Sequence, residues 1–168
     1  MSEEIFGAVQ KLPVNGTKKQ VVLQCAPLLT GIKLSNLLNV RADQKEEVFR
    51  IFEGSPVCCR VLYEFQGRLS ILLYRPGMLA AYLEREDVKK MMTSFGYENP
   101  DLEETLNRIA DAYQDHMNGK RGFPHEIGLV LGYPPVDVEG FIEKEGRDFL
   151  YSGYWKVYGN LEDTLKTF

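Results

Sequence analysis

The sequence has few clustered basic residues and lacks any apolar run long enough to cross a membrane. Its longest basic clusters are the pairs Lys18–Lys19, Lys89–Lys90 and Lys120–Arg121, in a chain with a net charge of -4. Nucleic-acid binders concentrate basic side chains on one face, because contacts to phosphates dominate their affinity. A membrane-spanning helix needs about 20 consecutive apolar residues. We therefore expect no nucleic-acid partner and no membrane partner.

Cysteine is also scarce, and its positions do not favour a metal site. Cys58 and Cys59 are neighbours in a predicted strand, so their side chains point to opposite faces of the sheet. Cys25 falls on the apolar face of a predicted helix, where a thiol behaves as a small hydrophobic group. We predict no metal and no cofactor.

The beginning of the chain differs from an export signal. Residues 1–5 are acidic where a signal peptide is basic, and no long apolar stretch follows them. Three cysteines are an odd number and do not form a secreted disulfide pattern. The expected location is the cytoplasm.

Known catalytic motifs are absent as well. The sequence contains no glycine-rich dinucleotide loop, phosphate loop or Gly-x-Ser-x-Gly pattern. His125-Glu126 resembles the start of a zinc-protease helix, but that chemistry needs a second histidine at position 129, which is Leu. The sequence therefore assigns no reaction.

The chain has the composition of a globular protein. It contains 168 residues, of which 44% are hydrophobic and 26% charged. A chain of this length buries roughly 70% of its unfolded surface. No linker divides it, so we predict a single domain over residues 1–168.

Strand signals are clearest in the middle of the chain. Residues 57–65 alternate between two faces, and the turn Gln66-Gly67 leads into residues 69–74, which are apolar on both faces. This pattern predicts an antiparallel hairpin with a central second strand. A short strand over 36–40 and an aromatic strand over about 149–158 complete the set.

Helices are predicted between and after these strands. The predicted fold is therefore α+β, with a small, mostly antiparallel sheet of about four strands covered by helices. Helix starts are expected before position 16, at Thr17 with Gln20, at Asp43 with Glu46, at Pro76, at Asp87, at Asn99-Pro100, at Pro124, at Pro135 and near the end of the chain.

Candidate site residues lie at element ends and in the aromatic segment. His125 and Glu126 begin a helix, where they can act as a general base or ligand contact, or satisfy local backbone groups. Lys33 follows a helix end, and Arg75 ends the central strand. Such positions bind ligands in open sheets, although for Arg75 a surface cation on the rim is the alternative.

The segment around the single tryptophan is the second group of candidates. Tyr154 and Lys156 alternate with Trp155 along the predicted strand. Aromatic rings beside a cation can stack on a planar ligand or on a partner. The alternative is that this strand supplies part of the core.

Three segments together resemble a known family. They are residues 25–33 (Cys-Ala-Pro-Leu-Leu-Thr-Gly-Ile-Lys), 123–134 (Phe-Pro-His-Glu-Ile-Gly-Leu-Val-Leu-Gly-Tyr-Pro) and 153–158 (Gly-Tyr-Trp-Lys-Val-Tyr). The order is similar to that of uncharacterised bacterial proteins classed as a domain of unknown function, common in anaerobic Gram-positive bacteria. The resemblance implies no activity. It implies that members continue past the position of Phe168, so an extension would complete part of a site or interface.

Two functions remain open at this point. One is a small-molecule-binding protein or enzyme whose pocket draws on Lys33, Arg75, His125, Glu126 and the aromatic strand. The other is a non-catalytic protein–protein interaction module with an exposed apolar surface. The sequence does not identify the ligand, the partner or the oligomeric state.

Overall fold

The computed structural model describes residues 16–165, without the side chains of residues 163 and 165. The helix and turn predicted before position 16 lie outside the described residues. The chain divides into two compact units, Met1–Pro76 and Gly77–Phe168. The single domain expected over residues 1–168 stays a prediction.

The first unit is a three-stranded antiparallel sheet with helices packed against it. The strands follow the order β1-β3-β2, so the predicted hairpin and its central strand are confirmed. A 3-10 turn, Ala42–Gln44, precedes α2. The elements are α1 (Gly16–Leu29), β1 (Ser35–Arg41), α2 (Lys45–Phe52), β2 (Cys58–Phe65) and β3 (Arg68–Tyr74).

Turn chemistry and apolar burial explain this sheet. Gln66 and Gly67 both have positive φ angles, 47° and 74°, as the two central residues of a type I′ hairpin turn require. The six residues of β3 after Arg68 are all buried, and β3 is the central strand of the sheet. Cys25 of α1 lies in the same core, fully buried, and burial raises the pKa of its thiol to about 11.

The predicted alternation in β2 is wrong beyond Val61. The pairing with β3 shifts between Val61 and Tyr63, so Leu62 is an extra residue in a β-bulge. A bulge reverses which face the following side chains occupy. Leu62 and Tyr63 are therefore both buried, at 4% and 8% exposure.

The second unit is mostly helical. Its elements are α3 (Pro76–Leu83), α4 (Glu86–Ser94), α5 (Leu102–Met117), α6 (Ile127–Val130), α7 (Pro135–Glu143), β4 (Tyr151–Ser152), β5 (Lys156–Val157) and α8 (Leu161–Leu165). The predicted α+β class is confirmed. The single aromatic strand over 149–158 is wrong, because the chain reverses at Gly153 and pairs Tyr151 with Val157. We call residues 151–157 the β4–β5 hairpin.

Three of the predicted helix caps are also wrong. Thr17 accepts a hydrogen bond from the Gln44 side chain, and α1 has already begun at Gly16. Asp43 binds Arg41 rather than the start of α2. The cap of α5 is Asp101, whose Oδ1 accepts from the backbone N of Glu104 at 2.7 Å, because Asn99 has a φ of 49° and lies outside the helix.

The described part of the chain lacks two features, a membrane-spanning helix and a metal-binding cluster. Within 16–165, no helix is both long enough and apolar enough to cross a membrane. Among the side chains that the structure describes, no group of three or more His, Cys, Asp or Glu is placed to hold a metal ion.

Candidate functional site

The second unit contains a pocket of about 390 Å³ that is lined mainly by aromatic and aliphatic side chains. Its walls come from α6, from α7 and from the β4–β5 hairpin. Four of the predicted site residues line this pocket, namely His125, Tyr154, Trp155 and Lys156. The structure therefore brings the aromatic segment and His125 together.

Asp137 on α7 holds the pocket together. Its Oδ2 accepts a hydrogen bond from Trp155 Nε1 at 2.7 Å. Its Oδ1 accepts from the backbone N of Tyr158 at 2.7 Å and of Gly159 at 2.9 Å. Asp137 is only 2% exposed, and a buried carboxylate is stable only when such donors replace water. The carboxylate thus ties α7 to the hairpin and fixes the indole ring.

Two glycines allow the backbone to approach α7 this closely. A Cβ added to Gly140 would lie 2.5 Å from Cβ of Tyr158, and one added to Gly159 would lie 2.6 Å from Cγ1 of Val136. Real Cβ atoms do not approach other atoms so closely. The contact between α7 and residues 158–159 therefore requires glycine at both positions.

Trp155 and Tyr133 form a stacked pair on one side of the pocket. Their ring centroids are 5.0 Å apart and their planes differ by 25°. The hydroxyl of Tyr82 donates to the backbone oxygen of Tyr133 at 2.6 Å, which holds that segment in place. Trp155 is 9% exposed, so it belongs to the core and to the pocket wall at once.

His125 lies between two phenylalanine rings. Its centroid is 5.3 Å from that of Phe123 and 5.8 Å from that of Phe141. Burial lowers the pKa of His125, and the opposing charge of Glu126 does not cancel this effect. The imidazole is therefore neutral at pH 7, with one nitrogen that donates and one that accepts.

Lys156 brings a positive charge to the edge of the pocket. Its Nζ donates to the backbone oxygen of Gly146 at 2.6 Å. The same atom is 4.8 Å from the ring centroid of Phe149 and 5.8 Å from that of Phe141. None of the carboxylates whose side chains the structure describes forms an ion pair with it.

Glu126 lies in different surroundings from its sequence neighbour His125. Its carboxylate is buried and pairs with Arg121 at 3.4 Å. It lines a smaller polar pocket, together with Arg108 and Tyr97. Burial, with help from the charge of Glu126, raises the pKa of Tyr97 to about 12. His125 and Glu126 therefore do not share one pocket.

Lys33 and Arg75 belong to the first unit. Arg75 donates through Nε to the backbone oxygen of Leu28 and through Nη2 to that of Leu29, both at 3.0 Å. Both bonds are made to the carboxyl end of α1, and a role of Arg75 in ligand binding stays a prediction. Lys33 is buried beside the same helix end, and burial lowers the pKa of its amine to about 8.

Tyr133, Asp137 and Phe141 are among the lining residues of the pocket that could not be proposed from the sequence. Asp137 looks like an ordinary acidic residue in the first turn of a helix. Its partners lie between 18 and 22 positions further along the chain, so no local spacing reveals them. Phe141 is 37% exposed and resembles a surface aromatic.

Replacing Asp137 by Asn tests this hydrogen-bond centre. The amide group has only one acceptor oxygen, so either Trp155 Nε1 or the backbone donors of Tyr158 and Gly159 will face a donor. We expect a loss of about 1–3 kcal/mol in the free energy of unfolding. The emission of the single tryptophan should also shift to longer wavelength.

Glu139→Gln is the matched control for Asp137→Asn, because Glu139 is exposed on the same helix. It should change stability by less than about 0.5 kcal/mol. Urea unfolding followed by tryptophan fluorescence measures both effects. Equal stability and emission in Asp137→Asn and the wild type would contradict the assigned role.

The lowered pKa of His125 predicts a pH dependence of stability. The unfolded chain, with an ordinary histidine pKa near 6.5, binds a proton more readily than the folded protein. The contribution of His125 is therefore complete above about pH 6.5 and is lost as the pH falls below that value. His125→Gln should show a shallower loss of stability between pH 7 and pH 5 than the wild type.

The chain has a second histidine, His116, that serves as control. His116→Gln should keep the part of the pH dependence of unfolding free energy that His125 causes. Urea unfolding at several pH values measures the slopes. An unchanged slope in His125→Gln would show that the imidazole does not titrate differently in the folded state.

Comparison with known proteins identifies the family. No curated protein and no solved structure gives a match to this chain. A family model described as "Protein of unknown function (DUF3793)" matches residues 21–168. The match includes all three segments on which the resemblance was based, and it confirms that resemblance. The chain therefore belongs to the DUF3793 family of proteins of unknown function.

Proposed function

We propose that the second unit binds a small molecule with a planar ring, in the pocket between α7 and the β4–β5 hairpin. The observation that carries this proposal is the stacked pair of Trp155 and Tyr133, fixed by Asp137 at the side of an apolar pocket. Flat aromatic surfaces that are already in place favour the stacking of a flat ligand.

The size and lining of the pocket support binding. Its volume of about 390 Å³ falls within the roughly 300–1,000 Å³ of small-molecule sites. Most of its wall is apolar, and His125 and Lys156 supply a few polar contacts, which is typical of such sites. Because hydrogen bonds already hold Trp155, little side-chain entropy is lost when a ligand binds.

These groups support binding more directly than catalysis. His125 is the one candidate for a general base that the sequence singled out in this pocket. Its sequence neighbour Glu126 pairs with Arg121, so this carboxylate does not orient the imidazole. A general base usually relies on such an orienting partner.

Phe141→Ala tests the pocket. The phenyl ring forms part of the wall beside His125, so its loss should weaken the binding of planar ring compounds roughly tenfold, equivalent to about 1.4 kcal/mol. Quenching of Trp155 fluorescence by a library of benzene, indole and purine derivatives measures the affinity. Trp155 is the only tryptophan, so the signal reports this pocket.

Phe49→Ala is the matched control, because Phe49 lies in the first unit and is 37% exposed, as Phe141 is. It should leave the affinities unchanged. If no compound in the library quenches Trp155, the proposed function is wrong. If both variants bind equally well, the ligand lies elsewhere.

Protein binding is the second candidate function. It is favoured by a group of large apolar side chains around the pocket that are at least 37% exposed: Phe123, Phe141, Phe149, Leu150, Tyr151 and Tyr154. Exposed apolar patches of several hundred Å² mark interaction surfaces in monomeric proteins. A second copy of the chain is the simplest partner for such a surface.

Sedimentation velocity separates this candidate from ligand binding alone. If the surface self-associates, Leu150→Glu should convert the protein to monomer, because a charge would be buried in the interface. Ile32→Glu is the control, since Ile32 is 60% exposed and Leu150 59% exposed, and Ile32 belongs to the first unit. A wild-type protein that stays monomeric at high concentration counts against self-association.

A further inference from the structure

The charge at the edge of the pocket identifies the class of ligand. Resting on the proposed function, we infer that the ligand is a small aromatic carboxylate: its ring stacks beside Trp155 and its carboxylate binds the ammonium group of Lys156. This assignment combines the apolar pocket with a cation that donates a hydrogen bond to a neutral carbonyl group, and with which no described carboxylate side chain forms an ion pair.

Lys156 is placed to receive an anion. An ammonium group has three donors, and the carbonyl of Gly146 accepts one of them at 2.6 Å. The carbonyl and the nearby rings of Phe149 and Phe141 hold Nζ in position without neutralising its charge. Two donors therefore remain for a carboxylate.

Asp137, the acidic residue in the lining of the pocket, is already engaged. Both oxygens of Asp137 accept hydrogen bonds, three in total, from Trp155, Tyr158 and Gly159. The carboxylate of Glu126 pairs with Arg121. The carboxylate of Asp137 keeps its charge but is only 2% exposed, so Lys156 is the charged group at the pocket edge that a ligand can reach. A bound carboxylate would gain a charge-assisted hydrogen bond from it.

Lys156 also argues against the main alternative class of ligand, an aromatic cation. Pockets lined by several aromatic rings commonly bind cations, because the faces of the rings are negative. Here Lys156 already lies over the rings of Phe149 and Phe141. A cationic ligand would meet a like charge at short range, so an aromatic amine is a poor fit.

His125 supplies a second polar contact, a hydrogen-bond donor for the carboxylate of the ligand. Its ring is neutral because burial lowers its pKa, and a neutral imidazole retains one N–H donor. With a single cation and about 390 Å³ of space, the pocket suits one or two fused rings with one carboxylate. It does not offer the several cations that a nucleotide polyphosphate requires.

The test compares two probes of nearly equal shape, 4-nitrobenzoate and 4-nitrobenzamide, of which only the first is charged. Both nitroaromatic rings quench tryptophan, so Trp155 fluorescence titration of the full chain gives both affinities. We expect wild type to bind the benzoate at least tenfold more tightly than the benzamide. Raising the salt concentration should reduce this preference.

Lys156→Met keeps most of the side-chain length and removes the charge. It should lower the affinity for the benzoate to that for the benzamide and leave the benzamide affinity unchanged. Lys144→Met is the matched control, because Lys144 lies in the same unit, over the ring of Tyr158, and outside the lining of the pocket. It should keep the wild-type preference.

The outcomes separate this inference from the proposed function. Equal affinities of wild type for the two probes would overturn the charge assignment and leave the ring pocket standing. A preference for the benzoate that persists in Lys156→Met would overturn the role of Lys156. If neither probe quenches Trp155, both the inference and the proposed function fail. The comparison of probes on wild type does not depend on the folding of any variant.

Discussion

The buried carboxylate of Asp137 is the interaction on which the candidate site depends. Removing a charge from water is costly, and the cost is offset only when good donors replace the lost water. Asp137 has three such donors, and all of them lie between 18 and 22 positions further along the chain. Because Trp155 Nε1 is one of them, the same bonds that join α7 to the hairpin also set the plane of the indole.

Close packing and hydrogen bonding act together where residues 158–159 lie against α7. Gly140 and Gly159 let the backbone of residues 158–159 lie against α7, and only at this distance do its amide groups reach Asp137. The stacking of Tyr133 on Trp155 then extends the ordered surface towards His125. The pocket is therefore a consequence of how the β4–β5 hairpin is attached to α7.

Much of the first unit could be predicted from the sequence, because its signals are local. The apolar run of β3 and the turn at Gln66-Gly67 specify a hairpin by themselves. The bulge at Leu62 could not be predicted, because it arises from the pairing with β3. In the site, His125, Trp155 and Lys156 could be proposed from their chemical types. Asp137 could not, since only the folded chain reveals its partners.

The adjacency of His125 and Glu126 in the sequence wrongly suggested that both belong to one site. The prediction that His125 and Glu126 begin a helix is wrong, because they lie in the turn before α6, which begins at Ile127. His125 faces the aromatic pocket while Glu126 pairs with Arg121. Many of the residues that do share the pocket with His125 come from α7 and from the hairpin, about 12 to 31 positions later. A ligand in this pocket would contact both α7 and the β4–β5 hairpin, which Asp137 joins. Its binding free energy would therefore add to the stability of the second unit. Under the proposed function, ligand binding and the anchoring of the hairpin would be linked through the same few contacts.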